Sequence, residues 1–323
     1  VSFRRPVLNV LQTMQYRIAQ FFIWLIRTMP YRPILLFTRS LCLLAWVLDP
    51  LHRKTADIQM KHTLGSLYNP LLSLKVFMNH GDIVVDTIRF AYMDEEEIRD
   101  RIVVEGKEHL ETAHQSNRGI MLVTGHIGNW EILTHLPRIL DIDFCVMADI
   151  RNDPRFEAII DDIRSRSGAT ILPPKGKALM LIRELRKGST IGMVVDQRGK
   201  RGERLFCEVL GLPAPTNPAP AFIAIKGNAL ILPVYAIKQG DIYHIRFCPA
   251  IDTHVFGKGE KAIEALSSHM QSWVASVVLK YPDQWFWLHA RWTRRADMRK
   301  IVKKNLDFRK EVLRQYEERQ HAI

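Results

Sequence analysis

The sequence predicts an α/β fold: a mixed, mostly parallel central sheet flanked by helices, behind a hydrophobic helical N-terminus. Three observations carry that prediction. Short, mainly apolar runs at 119–124, 143–148 and 191–195 read as buried strands. Segments with apolar residues at helical spacing separate them, and strands alternating with helices build parallel sheets. The first 62 residues break this pattern, being basic and apolar together.

Taken in order, residues 1–62 hold nine Lys/Arg against Asp49 and Asp57. Two apolar bursts, 21–26 and 34–48, are punctuated by Arg27, Arg32 and Arg39. No uncharged run reaches the roughly 18 to 20 residues of a clean membrane span, and no signal-peptide cleavage pattern follows. Arginine among Trp, Phe and Leu suits a helix lying on an anionic membrane, or inserted with its arginines snorkelled. Residues 56–118 read as helices, with Asp94 as an N-cap before three glutamates. A short strand at 103–106 precedes a helix at 107–116.

The run 119–124 leads into His126-Ile127-Gly128-Asn129-Trp130-Glu131, after which a helix from Ile132 to about Leu140 is expected. Next come the strand at 143–148, a polar turn, and a helix with Phe156, Ile159, Ile160 and Ile163 on one face. A brief strand at 169–172, a helix from 175 to 188 and the strand at 191–195 follow. Residues 210–220 are rich in Pro and Gly yet apolar, and read as a pocket wall. A helix at 219–227, strands at 229–236 and 242–250 and an amphipathic helix at 258–280 complete the body. The domain reading is a membrane-associated helical segment (1–62), an α/β body (63–292) and a basic C-terminal helix (293–323).

The 323 residues carry 46 basic against 34 acidic side chains, net +12, with a pI near 9.6. Such a surface seeks anions: phospholipid headgroups, phosphorylated ligands, acidic proteins or nucleic acid. Trp285, Trp287 and Trp292 beside a basic C-terminal segment suggest a membrane interface or a nucleic-acid platform. Cys42, Cys145, Cys207 and Cys248 form no C-x-x-C and read as reduced thiols. The histidines show no ligand spacing, so no metal is expected.

The hexapeptide carries the chemistry. Gly125 and Gly128 permit a sharp turn from strand to helix, at the sheet edge where α/β ligands bind. Residues i and i+5 lie about 140° apart on a helix, so His126 and Glu131 meet only if His126 sits in the turn. A carboxylate on one ring nitrogen leaves the other to take a proton, the arrangement of a general base and its orienter. No Gly-x-Ser-x-Gly elbow occurs, so the nucleophile would be a hydroxyl of the substrate. A second constellation, Asp196, Gln197, Arg198, Lys200 and Arg201, stands beyond the strand at 191–195.

These motifs in this order resemble the lipid A biosynthesis (late) acyltransferase family, the Kdo2-lipid A lauroyl/myristoyl transferases. The residues that carry the resemblance are Thr124-Gly125-His126-Ile127-Gly128-Asn129-Trp130-Glu131, Asp196-Gln197, the Pro-Thr at 215–216, and Gln284-Trp285-Phe286-Trp287 leading to Arg291-Trp292. Arg198-Gly199-Lys200-Arg201 is more basic than the family pattern, and Thr293 stands where a lysine is common.

The resemblance implies a glycerolipid-acyltransferase-like fold and transfer of a fatty acyl chain to a hydroxyl of a lipid A precursor. The donor would be acyl carrier protein or coenzyme A, as a co-substrate rather than a cofactor, and the place the cytoplasmic face of the bacterial inner membrane. It implies His126 as base and Glu131 as its partner, with Arg151 or Arg164, either of which matches a conserved arginine after the first crossover, and Asp196 orienting substrate or oxyanion. Arg198, Lys200 and Arg201 would bind phosphate or donor, and Trp130 and Leu133 would wall the acyl pocket. Anionic lipid and acyl carrier protein are the expected partners; nucleic acid is not. The same chemistry on a lysophospholipid, an aminolipid or another glycolipid is the alternative, and behind it a non-catalytic basic binder of membrane or nucleic acid.

Overall fold

The computed structural model describes residues 4–147, 154–172, 177–199 and 205–320. Its strands are β1 (Ile102–Glu105), β2 (Ile120–Thr124), β3 (Phe144–Met147), β4 (Thr170–Leu172), β5 (Thr190–Val194), β6 (Phe206–Val209), β7 (Leu212–Pro215), β8 (Leu230–Gln239), β9 (Ile242–Phe247) and β10 (Ile251–Asp252). The main sheet runs β4-β3-β5-β2-β8-β9-β1, with β10 also on β8. Pairing is parallel from β4 through to β8, and β9 turns back antiparallel to β8. The α/β class, the mostly parallel sheet and the apolar helical N-terminus are all present.

The helices are α1 (Arg4–Thr28), α2 (Tyr31–Leu48), α3 (Pro50–Thr63), α4 (Leu72–Phe90), α5 (Glu95–Arg99), α6 (Lys107–Gln115), α7 (Leu136–Leu140), α8 (Pro154–Ser165), α9 (Lys177–Arg186), α10 (Ala219–Gly227), α11 (Glu260–Lys280), α12 (Arg295–Lys304) and α13 (Phe308–Gln320). They cover both faces of the sheet, as a parallel sheet requires. Alternation along β2 divides the core. Met121 and Val123 pack with α3, α9, α10 and α11, whereas Ile120 and Leu122 pack with α6, α7 and Phe144.

Four elements depart from expectation; the first is the basic C-terminal helix of 293–323, which is two helices, α12 and α13, separated where Asn305 ends α12 at φ 50°. The helix expected from Ile132 is a 3-10 segment, Trp130–His135, followed by the short α7. Pro137 has no N–H for the carbonyl of Leu133, so an α-helix begun at 130 would lose a bond in its second turn. The pocket wall at 210–220 contains a hairpin strand: β6 and β7 pair through Leu210 and Gly211, both at positive φ (50° and 76°). Such a turn matches the twist of paired strands. The three C-terminal tryptophans are buried, not presented to membrane or nucleic acid. Trp285 and Trp287 pack edge-on at 4.6 Å, and their N–H groups donate to Asp196 and to the Pro282 carbonyl.

The N-terminal helices leave apolar surface open: Phe21, Trp24, Leu36, Leu44 and Leu48 are all more than half exposed. Tyr31–Leu48 is long and apolar enough to cross a membrane, and little of it is buried. A polar cluster fastens these helices to the sheet. Lys238 of β8 donates to Asp86 at 2.7 Å, Asp82 at 3.2 Å and the Tyr31 hydroxyl at 2.9 Å. Arg39 of α2 grips Asp82 with two bonds, and Tyr243 of β9 donates to Asp86 at 2.6 Å. Asp82 and Asp86 stand one turn apart on α4, so a single helix face gathers α2, β8 and β9.

Removing one member of a buried ion cluster leaves its partner uncompensated. Asp86→Ala is expected to lower unfolding free energy by about 3–5 kcal/mol. Arg32→Ala breaks only the exposed Arg32–Asp241 pair (3.5 Å) and is expected to leave stability unmoved. Denaturant unfolding of both variants checks the contrast.

Candidate active site

β2 and β5 are neighbours in register, with Thr124 opposite Val194. Two residues beyond that pair, the chain places His126 on one side and Asp196 on the other. The connection leaving β2 runs to β3, on the far side of β5, while β5 leads on to β8, on the far side of β2. The two strand ends therefore flank a topological switch point, where α/β sheets open a crevice.

Asp196 holds His126 twice. Its Oδ2 accepts from the His126 backbone N–H and its Oδ1 from Nδ1, both at 2.7 Å. The Trp285 indole donates to Oδ2 at 2.7 Å. Burial pulls the Asp196 carboxyl upward. The His126 charge, the His126 donors and the Trp285 N–H outweigh it and hold the group at about 2. Burial likewise pulls His126 down, but Asp196, with Glu131 a smaller contributor, raises it above the ordinary imidazole value. An ionised Asp196 is an acceptor only, so Nδ1 carries a proton in either state of the ring, and in the neutral ring Nε2 keeps the lone pair. Nε2 faces the exposed Gln197 amide at 3.1 Å.

The turn carrying His126 is built to one shape. Gly128 sits at φ +55°, and a Cβ there would lie 1.9 Å from the Ala236 carbonyl oxygen. Only glycine fits. The Gly128 N–H donates to the Gln284 carbonyl (2.7 Å), the Asn129 N–H to the Ala236 carbonyl (2.9 Å) and the Phe286 N–H to the His126 carbonyl (3.0 Å). The loop is thus clamped between β8 and the segment at 284–287. Gly125 brings the chain against Asp196: a Cβ there would stand 3.1 Å from Oδ2.

The partner expected for His126 was Glu131, and the structure corrects this. The Glu131 carboxylate accepts from the Trp130 indole (3.2 Å) and faces Arg164 (4.0 Å). Trp130 packs edge-on against the imidazole at 4.6 Å. The reason is geometric. Residues at equal depth beyond adjacent strands are neighbours whatever their separation in sequence, so Asp196 reaches Nδ1 directly. His126 and Glu131 nevertheless line one cavity of about 360 Å³, together with Arg164 and Gln197.

Trp130 and Leu133 line the same cavity. Its sheet wall is Leu122, Val146, Gly192 and Val234, with Phe144. Sequence reading missed these residues because alternation marks them as core without saying which part of the core is hollow. Trp285 was also missed as an Asp196 donor, since nothing local links positions 89 apart. A second cavity, of about 160 Å³, reaches His126 and Asp196 from the side of Arg198, Phe286 and His289. Arg151, Lys200 and Arg201 lie outside the described residues. Among the described residues, no three His, Cys, Asp or Glu side chains gather as a metal site.

Residues 4–294 match the family described as bacterial lipid A biosynthesis acyltransferase. The chain is 23% identical over 225 residues to the lipid A biosynthesis palmitoleoyltransferase of Escherichia coli K12, covering 68% of this chain and 70% of that protein. It is 23% identical over 215 residues to the phosphatidylinositol mannoside acyltransferase of Mycolicibacterium smegmatis, covering 64% and 67% respectively. Among solved structures, the 1-acyl-sn-glycerophosphate acyltransferase PlsC of Thermotoga maritima aligns with a TM-score of 0.36 at 15% identity, over 72% of this chain and 97% of that one.

The electrostatics yield a direct test of the pairing. In an NMR titration the His126 ring is expected to deprotonate above pH 6.5, the usual imidazole value. Asp196→Asn removes the group that holds the proton, so burial then acts against charge and the midpoint falls. Glu131→Gln is expected to move it less.

Proposed function

The chain belongs to the bacterial lipid A biosynthesis acyltransferase family, and from that premise we propose that it moves a fatty acyl chain from an acyl thioester to a hydroxyl of a lipid A precursor. The observation that carries this reading is an imidazole with one nitrogen anchored on a buried carboxylate and the other open to a cavity with an apolar wall.

In the proposed mechanism the acceptor hydroxyl displaces the Gln197 amide from Nε2 and passes its proton to that nitrogen as the oxygen attacks the thioester carbonyl. The Nδ1–H bond to Asp196 stabilises the imidazolium that forms. The new C–O bond closes a tetrahedral oxyanion, for which Arg164 and the Gln197 amide, both in the cavity lining, are candidate donors. Collapse breaks the C–S bond, and the proton on Nε2 leaves with the thiolate as thiol. Glu131 adds to the field that raises His126 and keeps Arg164 turned towards the cavity.

The acyl chain lies in that cavity against its apolar wall, with Trp130 and Leu133 in the same lining. Register sets its depth. Thr124 and Val194 form the row at the sheet edge, Leu122, Gly192 and Val146 the row below, and Phe144 pairs one row further down. The Phe144 ring leans up over Gly192: its Cζ stands 2.6 Å from where a Gly192 Cβ would be. That ring is the floor.

The exposed apolar faces of α1 and α2 and the net charge of +12 support attachment to an anionic bilayer. We place the enzyme on the cytoplasmic face of the inner membrane, where acyl carrier protein or coenzyme A supplies the donor and an acidic carrier would meet a basic surface. The likeness to a phosphatidylinositol mannoside acyltransferase favours a second acceptor class, a mannosylated phosphoinositide, served by the same chemistry.

The deciding assay is acyl transfer by purified protein with both acceptor classes. His126→Ala is expected to lose about 10²–10⁴ in rate, and near wild-type turnover would reject the mechanism. For the floor, Phe144→Ala is expected to lengthen the preferred acyl chain and Gly192→Val, which drives the ring into the cavity, to shorten it. A methylene that fits or fails is worth about 10- to 200-fold in discrimination. An unchanged chain-length profile in both variants would place the floor elsewhere.

A further inference from the structure

A cleft of about 430 Å³ separates the start of α3 from the first turn of α12. Arg295 and Arg299 both line it, four residues apart on one helix face. Like charges at that spacing destabilise a helix, and a cation in the first turn opposes the helix dipole. No side chain caps α12, whose first intrahelical bond runs from the Met298 N–H to the Arg294 carbonyl. The amides ahead of it have no partner within the helix. The one acid of this turn, Asp297, is engaged by Arg294 at 3.6 Å and Lys300 at 3.8 Å.

A second observation points the same way. Thr293 lines the cleft at 1% exposure, and its Oγ1 makes no hydrogen bond. A buried hydroxyl without a partner is a cost that a ligand oxygen would relieve. The opposite wall carries Asp49, whose charge is turned onto His52 at 2.6 Å. The cleft is also continuous with the catalytic side: Arg198, Phe286 and His289 line both it and the cavity at His126.

We propose that this cleft binds a phosphate ester borne by one of the two substrates, while that substrate's reacting end lies at His126. Paired arginines, free helix amides and an unsatisfied hydroxyl are the donor set that a phosphate takes. The assignment of the ligand as a substrate rests on the acyl-transfer reading, whereas the anion site itself does not. The phosphate has two possible sources: the carrier arm of the thioester donor, or the headgroup of the acceptor.

The test has a binding arm and a kinetic arm. Inorganic pyrophosphate is expected to raise the melting temperature of the wild type and of His126→Ala, and to lose that effect in Arg295→Gln/Arg299→Gln and in Thr293→Val. Equal stabilisation of the wild type and the double variant, or none in the wild type, overturns the proposal. In the kinetic arm, Arg295→Gln/Arg299→Gln is expected to raise KM at least tenfold for the phosphate-bearing substrate, with kcat nearly unchanged. An increase seen with acyl-coenzyme A but not with a phosphate-free acyl thioester assigns the site to the donor. An increase seen with a phosphorylated acceptor but not its dephosphorylated form assigns it to the acceptor. Unchanged KM for every pair overturns the proposal. If the wild type transfers no acyl chain, the functional reading fails and the pyrophosphate arm still decides the cleft.

Discussion

The site depends on one buried carboxylate. Asp196 accepts three hydrogen bonds, from the His126 backbone, the His126 ring and the Trp285 indole. Those donors come from the turn after β2 and from the segment after α11, while the carboxylate itself follows β5. A charge at 4% exposure is tolerable only when its lone pairs are met. Here meeting them positions His126: the bonds that make the charge bearable also fix the imidazole's tautomer and direction.

The surrounding structure holds that arrangement rigid. Gly128 lets the turn lie flat on β8, where any Cβ would collide with the Ala236 carbonyl. The buried tryptophan cluster seats the segment at 284–287 against the sheet. Gln59 of α3 donates to the carbonyls of Trp287 and His289, and accepts from the Arg291 N–H. The Arg291 guanidinium then reaches the Pro215 carbonyl and the Thr216 hydroxyl, so the hairpin and the C-terminal segment lock together. His126 is left between two cavities, one with Phe144 in its lining and one leading towards α12. A two-substrate transfer needs such a meeting point, with each partner arriving from its own side.

Much of this was legible in the sequence where the signal is local. Apolar runs marked β2, β3 and β5, and the glycines around His126 marked the turn. Asp196 was visible as an acid beyond a strand, and Trp130 and Leu133 were read as cavity wall. Its bond to His126 was not legible, because a parallel pairing brings together residues 70 apart that no spacing rule connects. The sequence spacing favoured Glu131, five positions away, which the fold instead turns towards Arg164. The tryptophans at 285, 287 and 292 misled for a related reason. Composition beside basic residues suggested a surface, yet each indole N–H finds an acceptor inside. The hollow above Phe144 depends on Gly192 meeting an aromatic ring from the next strand, a tertiary coincidence.

The most direct measurement of the central claim is a double-mutant cycle in acyl-transfer rate, combining His126→Ala first with Asp196→Asn and then with Glu131→Gln. Groups that act as a unit are strongly non-additive. Asp196→Asn is expected to cost little further once His126 is gone, and Glu131→Gln to combine with His126→Ala more nearly additively. Additive losses for His126 and Asp196, with strong coupling between His126 and Glu131 instead, would contradict it.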